Sequence, residues 1–280
     1  MLRDRMSIDI GSEVEPVALD FEAYGVRGFL STSSTLLDRV RPLLPPGWTS
    51  CTPPSSASRF SIAQLDGGYD VRVDDASRIE TQDLDVALGV LDAQIRAYVS
   101  LHAPDRIFVH AGVVADERGA IVIPGKSFSG KTTLVAALID AGATYYSDEY
   151  AVLDAQGLVH PYPKPLSIRR PATGQTDQAV ESIGGVASDR PVPVGLIAVT
   201  SYRPGASWQP QRQSPAAGAM ALLSNTVPAR DRPAQALAAV RAAAASALVL
   251  EDERGEASEV APELLDALRS GLPTPAPPVS

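Results

Sequence analysis

"AIVIPGKSFSGKTTLVAALIDAGATYYSDEY", residues 120–150, decides the fold. The apolar run Ala120–Ile123 reads as a buried strand, and the Ala/Leu-rich stretch over 131–141 reads as a helix. Between them Gly125, Gly130, Lys131 and Thr132 satisfy G-x-x-x-x-G-K-[ST]. Glycines let the backbone turn tightly, so that successive N–H groups face one anion, and the positive end of the following helix adds to that field. Lys131 supplies a mobile charge for outer phosphates, and the Thr132 hydroxyl is a hard oxygen ligand suited to Mg²⁺. The expected cradle is therefore Gly125, Lys126, Ser127, Phe128, Ser129, Gly130, Lys131, Thr132 and Thr133. Phe128 is unusually large for such a loop and is expected to point away from the phosphates. The pattern arises by chance about once in a hundred chains of this size, and a preceding strand with a following helix is the context that confirms it.

The next question is which acids reach the loop. A helix over 131–141 rises about 16 Å, and Gly142 ends it. The strand "ATYYS" returns about the same distance if it lies parallel in the same sheet, which brings Asp148 and Glu149 back to the level of the loop. Two carboxylates at that edge can hold Mg²⁺ or take a proton from an attacking hydroxyl; the alternative is a solvated turn. His110, inside the apolar strand "IFVHAGVV", reads by itself as a satisfied core residue or as a site residue. His102 and His160 read as structural or exposed.

Composition bounds the rest. The chain has 280 residues, is 45% hydrophobic and 20% charged, and carries a formal net charge of -9. This is the profile of a globular protein, with a field that repels nucleic acid and anionic membrane surfaces. Cys51 is the single cysteine, which excludes an internal disulfide framework or a cysteine-based metal cluster and fits a reducing compartment. No apolar run approaches a membrane-spanning length, and acids occupy the first twenty residues where a signal peptide needs an apolar core. The expected location is cytoplasmic.

Outward from the loop, "IFVHAGVVADERGAIVIPG" reads as two strands around a turn at 116–119. Upstream, residues 17–31 read as two short strands joined near Gly25, and "STLLDRVRPLL" as a helix stopped at Pro45 and Pro46. Residues 59–74 read as a hairpin turning at 66–68. "TQDLDVALGVLDAQIRAYVSLHAP" is the longest helical pattern, with Leu84, Leu88, Leu91, Ile95 and Val99 on one stripe. Downstream, short strands run to 168, a strand lies near 194–200, helices lie near 215–225, 233–245 and 258–269, and a strand occupies 246–251. Domain boundaries follow: 1–104 as an N-terminal α+β subdomain, 105–270 as a nucleotide-binding core, and a Pro-rich mobile tail over 271–280.

The stretch "VHAGVVADERGAIVIPGKSFSGKTTLVAALIDAGATYYSDEYAVLD", residues 109–154, resembles the HPr kinase/phosphorylase family, which shares its catalytic core with phosphoenolpyruvate carboxykinase. The likeness rests on a histidine and glycine in one strand, an acidic hairpin turn, the GKT loop and an acidic pair after the next strand. "HPYPKPLSIR" (160–169) is similar to a segment of HPr-kinase-like proteins from bacterial peptide natural-product clusters, including lasso-peptide clusters. The resemblance implies an α/β fold with a P-loop kinase core of that type. It makes Asp148 the base and Glu149 a second acid near the metal together with Asp148 and Thr132. It also places His110 near the phosphates and makes Arg169 a contact to the transferred group. Two departures stand out: Phe128 replaces a glycine, and Glu149 replaces an aspartate. The downstream glycine-rich signature by which the regulatory kinase engages its protein substrate is not found, which argues against HPr as acceptor and against a reverse reaction.

The expected activity is an ATP- and Mg²⁺-dependent phosphotransferase acting on a hydroxyl, a serine of a peptide or small protein. The alternatives are a nucleotide-gated binding protein without transfer and a small-metabolite kinase. A carboxykinase-like enzyme is disfavoured by the lack of a separate basic cluster for an anionic carboxylate. Homo-oligomerisation is compatible with the sequence, and nothing in residues 1–104 names the acceptor.

Overall fold

The computed structural model describes residues 16–75, 77–125, 130–170 and 174–270. The chain divides into two compact units, Met1–Pro104 and Asp105–Ser280. The tail over 271–280 lies outside the described residues.

In the first unit the strands are β1 (Pro16–Ala18), β2 (Phe21–Ala23), β3 (Val26–Ser33), β4 (Thr49–Ser50), β5 (Arg59–Leu65), β6 (Gly68–Val73) and β7 (Ser77–Thr81). They form one sheet in the order β4-β2-β3-β5-β6-β7, with β1 against β3. The turn at Tyr24-Gly25 is left-handed (φ 53° and 77°). Helix α1 (Leu37–Val40) continues only as a 3-10 turn over Arg41–Leu43, so the expected helix is cut to little more than a turn before Pro45. Helix α2 (Leu84–His102) starts at Asp83, whose carboxylate accepts from the amides of Asp85 and Val86, and it buries Leu88, Leu91, Ile95 and Val99. Between α2 and the hairpin lies β7, in a stretch that sequence reading leaves unassigned but for Thr81. Apart from Ile79 its residues are polar, and none is fully buried, so apolar alternation is missing.

In the second unit the elements begin with β8 (Ile107–Asp116), β9 (Gly119–Pro124), α3 (Lys131–Asp140), β10 (Thr144–Ser147), β11 (Tyr150–Leu153) and β12 (Leu158–His160). They continue with β13 (Leu166–Arg170), β14 (Gly174–Gln178), β15 (Val192–Tyr202), β16 (Gln211–Gln213), α4 (Pro215–Leu223), α5 (Pro233–Ala244), β17 (Leu248–Arg254) and α6 (Ala257–Ser270). Among the described residues, strands β13 and β14 pair only with each other. The architecture is mixed α/β: helices cover both faces of the larger sheet, and the alternation within its strands shows how. Along β8, Ile107, Val109, Ala111, Val113 and Ala115 enter one core with Leu222 of α4 and Ala239, Val240 and Ala243 of α5. Val114 enters the other with Ile121 and Ile123 of β9, Leu134, Val135 and Leu138 of α3, and Leu264 and Leu265 of α6. Both flanks of β8 and β9 are thus apolar, as expected of strands buried on two faces.

Pairing also closes on itself. β8 pairs with β11, β11 with β12, β12 with β15, β15 with β9, and β9 with β8. Strand β15 is parallel to both β9 and β17. At the β11–β12 turn Asp154 accepts from the amides of Gln156 and Leu158, both at 2.9 Å, and its Oδ2 lies 2.8 Å from Nε2 of His160. Burial pushes the Asp154 carboxyl up, but His160 and the two amides outweigh it and hold the group below its ordinary value. His160 is therefore engaged in fixing this turn. Among the described residues, no helix is long and apolar enough to cross a membrane.

Candidate active site

Strand β8 organises the site, because it lies between the strand that leads into the glycine-framed loop and the strand that returns with the two acids. It is antiparallel to β9 on one side and to β10 on the other. β9 and β10 therefore run in the same direction, one strand apart, and end at the same edge. The register is specific: Val113 of β8 faces both Val122 of β9 and Ser147 of β10, while Ala111 faces Pro124. Asp148 and Glu149 then fall beside Gly112 and Ala111, at the level where β9 gives way to the loop. The parallel return expected from the lengths of helix and strand is thus achieved without the two strands touching.

The two acids occupy a break between β10 and β11, both of which pair with β8. Ser147, fully buried, holds the break: its hydroxyl accepts from the amides of Glu149 (3.1 Å) and Tyr150 (2.9 Å). The Glu149 carbonyl accepts from the Ala111 amide at 3.2 Å. Beneath them the Tyr145 hydroxyl donates to the Lys164 carbonyl at 2.7 Å and takes a hydrogen bond from the Asp148 backbone. Burial, reinforced by the charge of Asp148, raises the Tyr145 phenol far above its ordinary value, so it stays protonated as a support.

Gly112 explains how Lys131 approaches. A methyl group at Gly112 would stand 2.6 Å from Cγ2 of Val135 and 3.7 Å from Cβ of Lys131, so the first turns of α3 lie directly on the glycine. The period of two along β8 puts His110 on the same face as Gly112. Lys131 is half-buried, and burial lowers its pKa, opposed by the nearby carboxylates of Asp148 and then Glu149. Burial strengthens the attraction of this ammonium for an anion, while the two acids beside it offset part of its charge. Gly130, left-handed at φ 82°, precedes the helix and has no side chain to cap it, and the first turn carries no acid. That end of α3 is electrostatically suited to phosphate.

His110 is tied in through its backbone. Its amide donates to the Asn225 carbonyl (2.8 Å), and its carbonyl accepts from Gly125 at the start of the loop (3.1 Å). Its ring lies 4.9 Å from that of Tyr150, and its Nδ1 is 3.9 Å from Oε1 of Glu149. The structure thus brings together Gly125, Gly130, Lys131, His110, Asp148 and Glu149, with Thr132 and Thr133 following in the first turn of α3. Lys126, Ser127, Phe128 and Ser129 lie outside the described residues, and with them the expected orientation of Phe128. Arg169 sits on the separate β13–β14 hairpin, its backbone paired with Gln175. Sequence reading does not single out Ser147, Tyr145 or Tyr150 as supports, although their place around an acidic pair was a usable signal. Nor does it single out Arg254, whose contact with the loop spans 124 residues of sequence.

No family model matches the chain, and no curated protein matches it. Among solved structures, the Hpr(Ser) kinase/phosphatase from Coxiella burnetii is similar at a TM-score of 0.35 and 15% identity, covering 60% of this chain and 99% of that one. At that level the likeness carries no assignment of activity.

Proposed function

We propose that the protein is an ATP- and Mg²⁺-dependent kinase that transfers a phosphoryl group to a hydroxyl, a serine of a peptide or small protein. One observation carries the reading: Lys131, opening a helix behind a left-handed glycine, lies within charge range of Asp148 and Glu149. The donor set fits Mg²⁺, since Thr132, Asp148 and Glu149 offer hard oxygens. Among the described residues no cluster of three His, Cys, Asp or Glu side chains could form an all-protein cage. Mg²⁺ held here would take the rest of its shell from water and phosphate oxygens. When bound, Mg²⁺ supplies charge neutralisation on the phosphates.

The chain's residues then have distinct tasks. Lys131 and the first-turn amides of α3 hold and neutralise the outer phosphates. Asp148 accepts the proton of the acceptor hydroxyl as its oxygen attacks phosphorus and ADP leaves. Ser147 and Tyr145 keep the Asp148 backbone in place. His110 lines the same edge beside Glu149.

A test is transfer of label from the γ-phosphate of ATP, with Mg²⁺, to a library of serine-containing peptides. Labelled phosphoserine is expected. Label on small hydroxyl metabolites alone would change the acceptor class, and nucleotide binding without label on any acceptor would favour a nucleotide-gated binding protein.

A further inference from the structure

Arg254, the last residue of β17, is 2% exposed and reaches the glycine-framed loop. Its Nη2 donates to the Gly130 carbonyl at 2.8 Å, and its Nη1 donates to the Gly255 carbonyl at 3.0 Å. The same Gly130 carbonyl accepts the first helical bond of α3, from the Leu134 amide, at 3.3 Å. The guanidinium therefore grips the residue on which the loop turns into the helix. Its Nε is buried with no hydrogen-bond partner among the described residues. No described carboxylate lies within ion-pair distance of it. Glu256, close in sequence, is exposed and accepts instead from the Tyr202 hydroxyl at 3.0 Å. The Tyr202 ring, opposite Arg254 on β15, lies 5.5 Å from the guanidinium carbon.

Glu256 acts on Arg254 only at a distance, without an ion pair, so burying the guanidinium costs stability that an apolar side chain of similar length would not. Burial lowers the pKa of Arg254, in keeping with a charge held where solvent does not compensate it. What the position offers in return is an extra positive charge and a fixed donor at the same helix end as Lys131. A methyl group at Gly130 would lie 2.7 Å from Nη2, so the guanidinium packs directly against the glycine.

We infer that Arg254 is a positioning residue for the phosphate loop, clamping the Gly130 carbonyl and adding its charge to the anion-binding end of α3. The inference rests on the nucleotide-binding reading above. Its signature is a trade-off between stability and binding, which a merely structural arginine would not produce.

The test measures the melting temperature of the ligand-free protein and its affinity for ATP and inorganic pyrophosphate, in wild type, Arg254→Met and Arg254→Lys. Arg254→Met is expected to melt at or above the wild-type temperature yet to bind both ligands about tenfold more weakly or worse, with Arg254→Lys recovering part of the loss. Wild-type affinity in both variants would overturn the inference, as would a loss of affinity that follows a loss of folded protein. So would an unfolded Met variant beside a Lys variant of unchanged affinity, because the fork would then serve folding only. If wild type bound neither ATP nor pyrophosphate, the nucleotide reading itself would fail, and Arg254 with it.

Discussion

Asp148→Asn is expected to lower phosphoryl transfer by about two to four orders of magnitude while nucleotide binding at neutral pH persists. The substitution keeps size and shape and removes the capacity to take a proton. The backbone at 148 is held by contacts that do not involve its carboxylate: Ser147 ties down the amides of Glu149 and Tyr150, and the Asp148 backbone bonds to Tyr145. The acid break should therefore keep its form. A second effect has a definite sign. Asp148 raises the pKa of Lys131 against the lowering by burial, so its loss lets the lysine deprotonate at a lower pH. Binding of ATP to the variant should accordingly weaken earlier than in wild type as the pH is raised. Undiminished transfer would remove Asp148 from the role of base and direct attention to Glu149.

Gly112→Val should damage both fold and site. The added carbons enter the space of Val135 Cγ2, only 2.6 Å from where the first of them would stand, and a branched neighbour has no free rotamer into which to retreat. Helix α3 must lift from β8, carrying Lys131 with it. Overpacking of this kind costs about 3 kcal/mol, or roughly 6–12 °C in melting temperature for a chain of this size. Gly89, in α2, is the control, because nothing lies within 4 Å of the place its methyl group would take. Gly89→Ala should hold or raise stability by about 0.5–1 kcal/mol through helix propensity. Equal melting temperatures for Gly112→Val and wild type would show that the helix does not rest on the glycine.

The difference between these two positions also shows how far the sequence was legible. Strand, loop and helix around Lys131 are local events with local signals, and chain lengths alone brought Asp148 and Glu149 back to the loop. Strand β8 was legible as a strand, but its place between β9 and β10 was not, because a parallel return reads the same whether the strands are adjacent or one apart. Gly112 looked like part of an apolar strand, and its function as the seat of α3 exists only once helix and strand are packed. Arg254 stands in the charged run "EDERGE" and reads as solvated until β17 is placed parallel to β15, with its end beside Gly130. Strand β7 went unseen for the opposite reason: all its residues but Ile79 are polar, and it owes its place to backbone pairing with β6. Contacts distant in sequence decided each of these cases, and periodicity carries no information about them.

The most direct measurement is thermal stabilisation of wild type and Lys131→Ala by ATP, ADP and GTP, each with and without Mg²⁺. At a ligand concentration a hundredfold above the dissociation constant, binding adds about 2.7 kcal/mol, which raises the melting temperature by several degrees in a chain of this size. The account predicts Mg²⁺-dependent stabilisation by ATP in wild type and its loss in Lys131→Ala. Absence of any nucleotide effect in wild type, or an equal effect in both proteins, would contradict it.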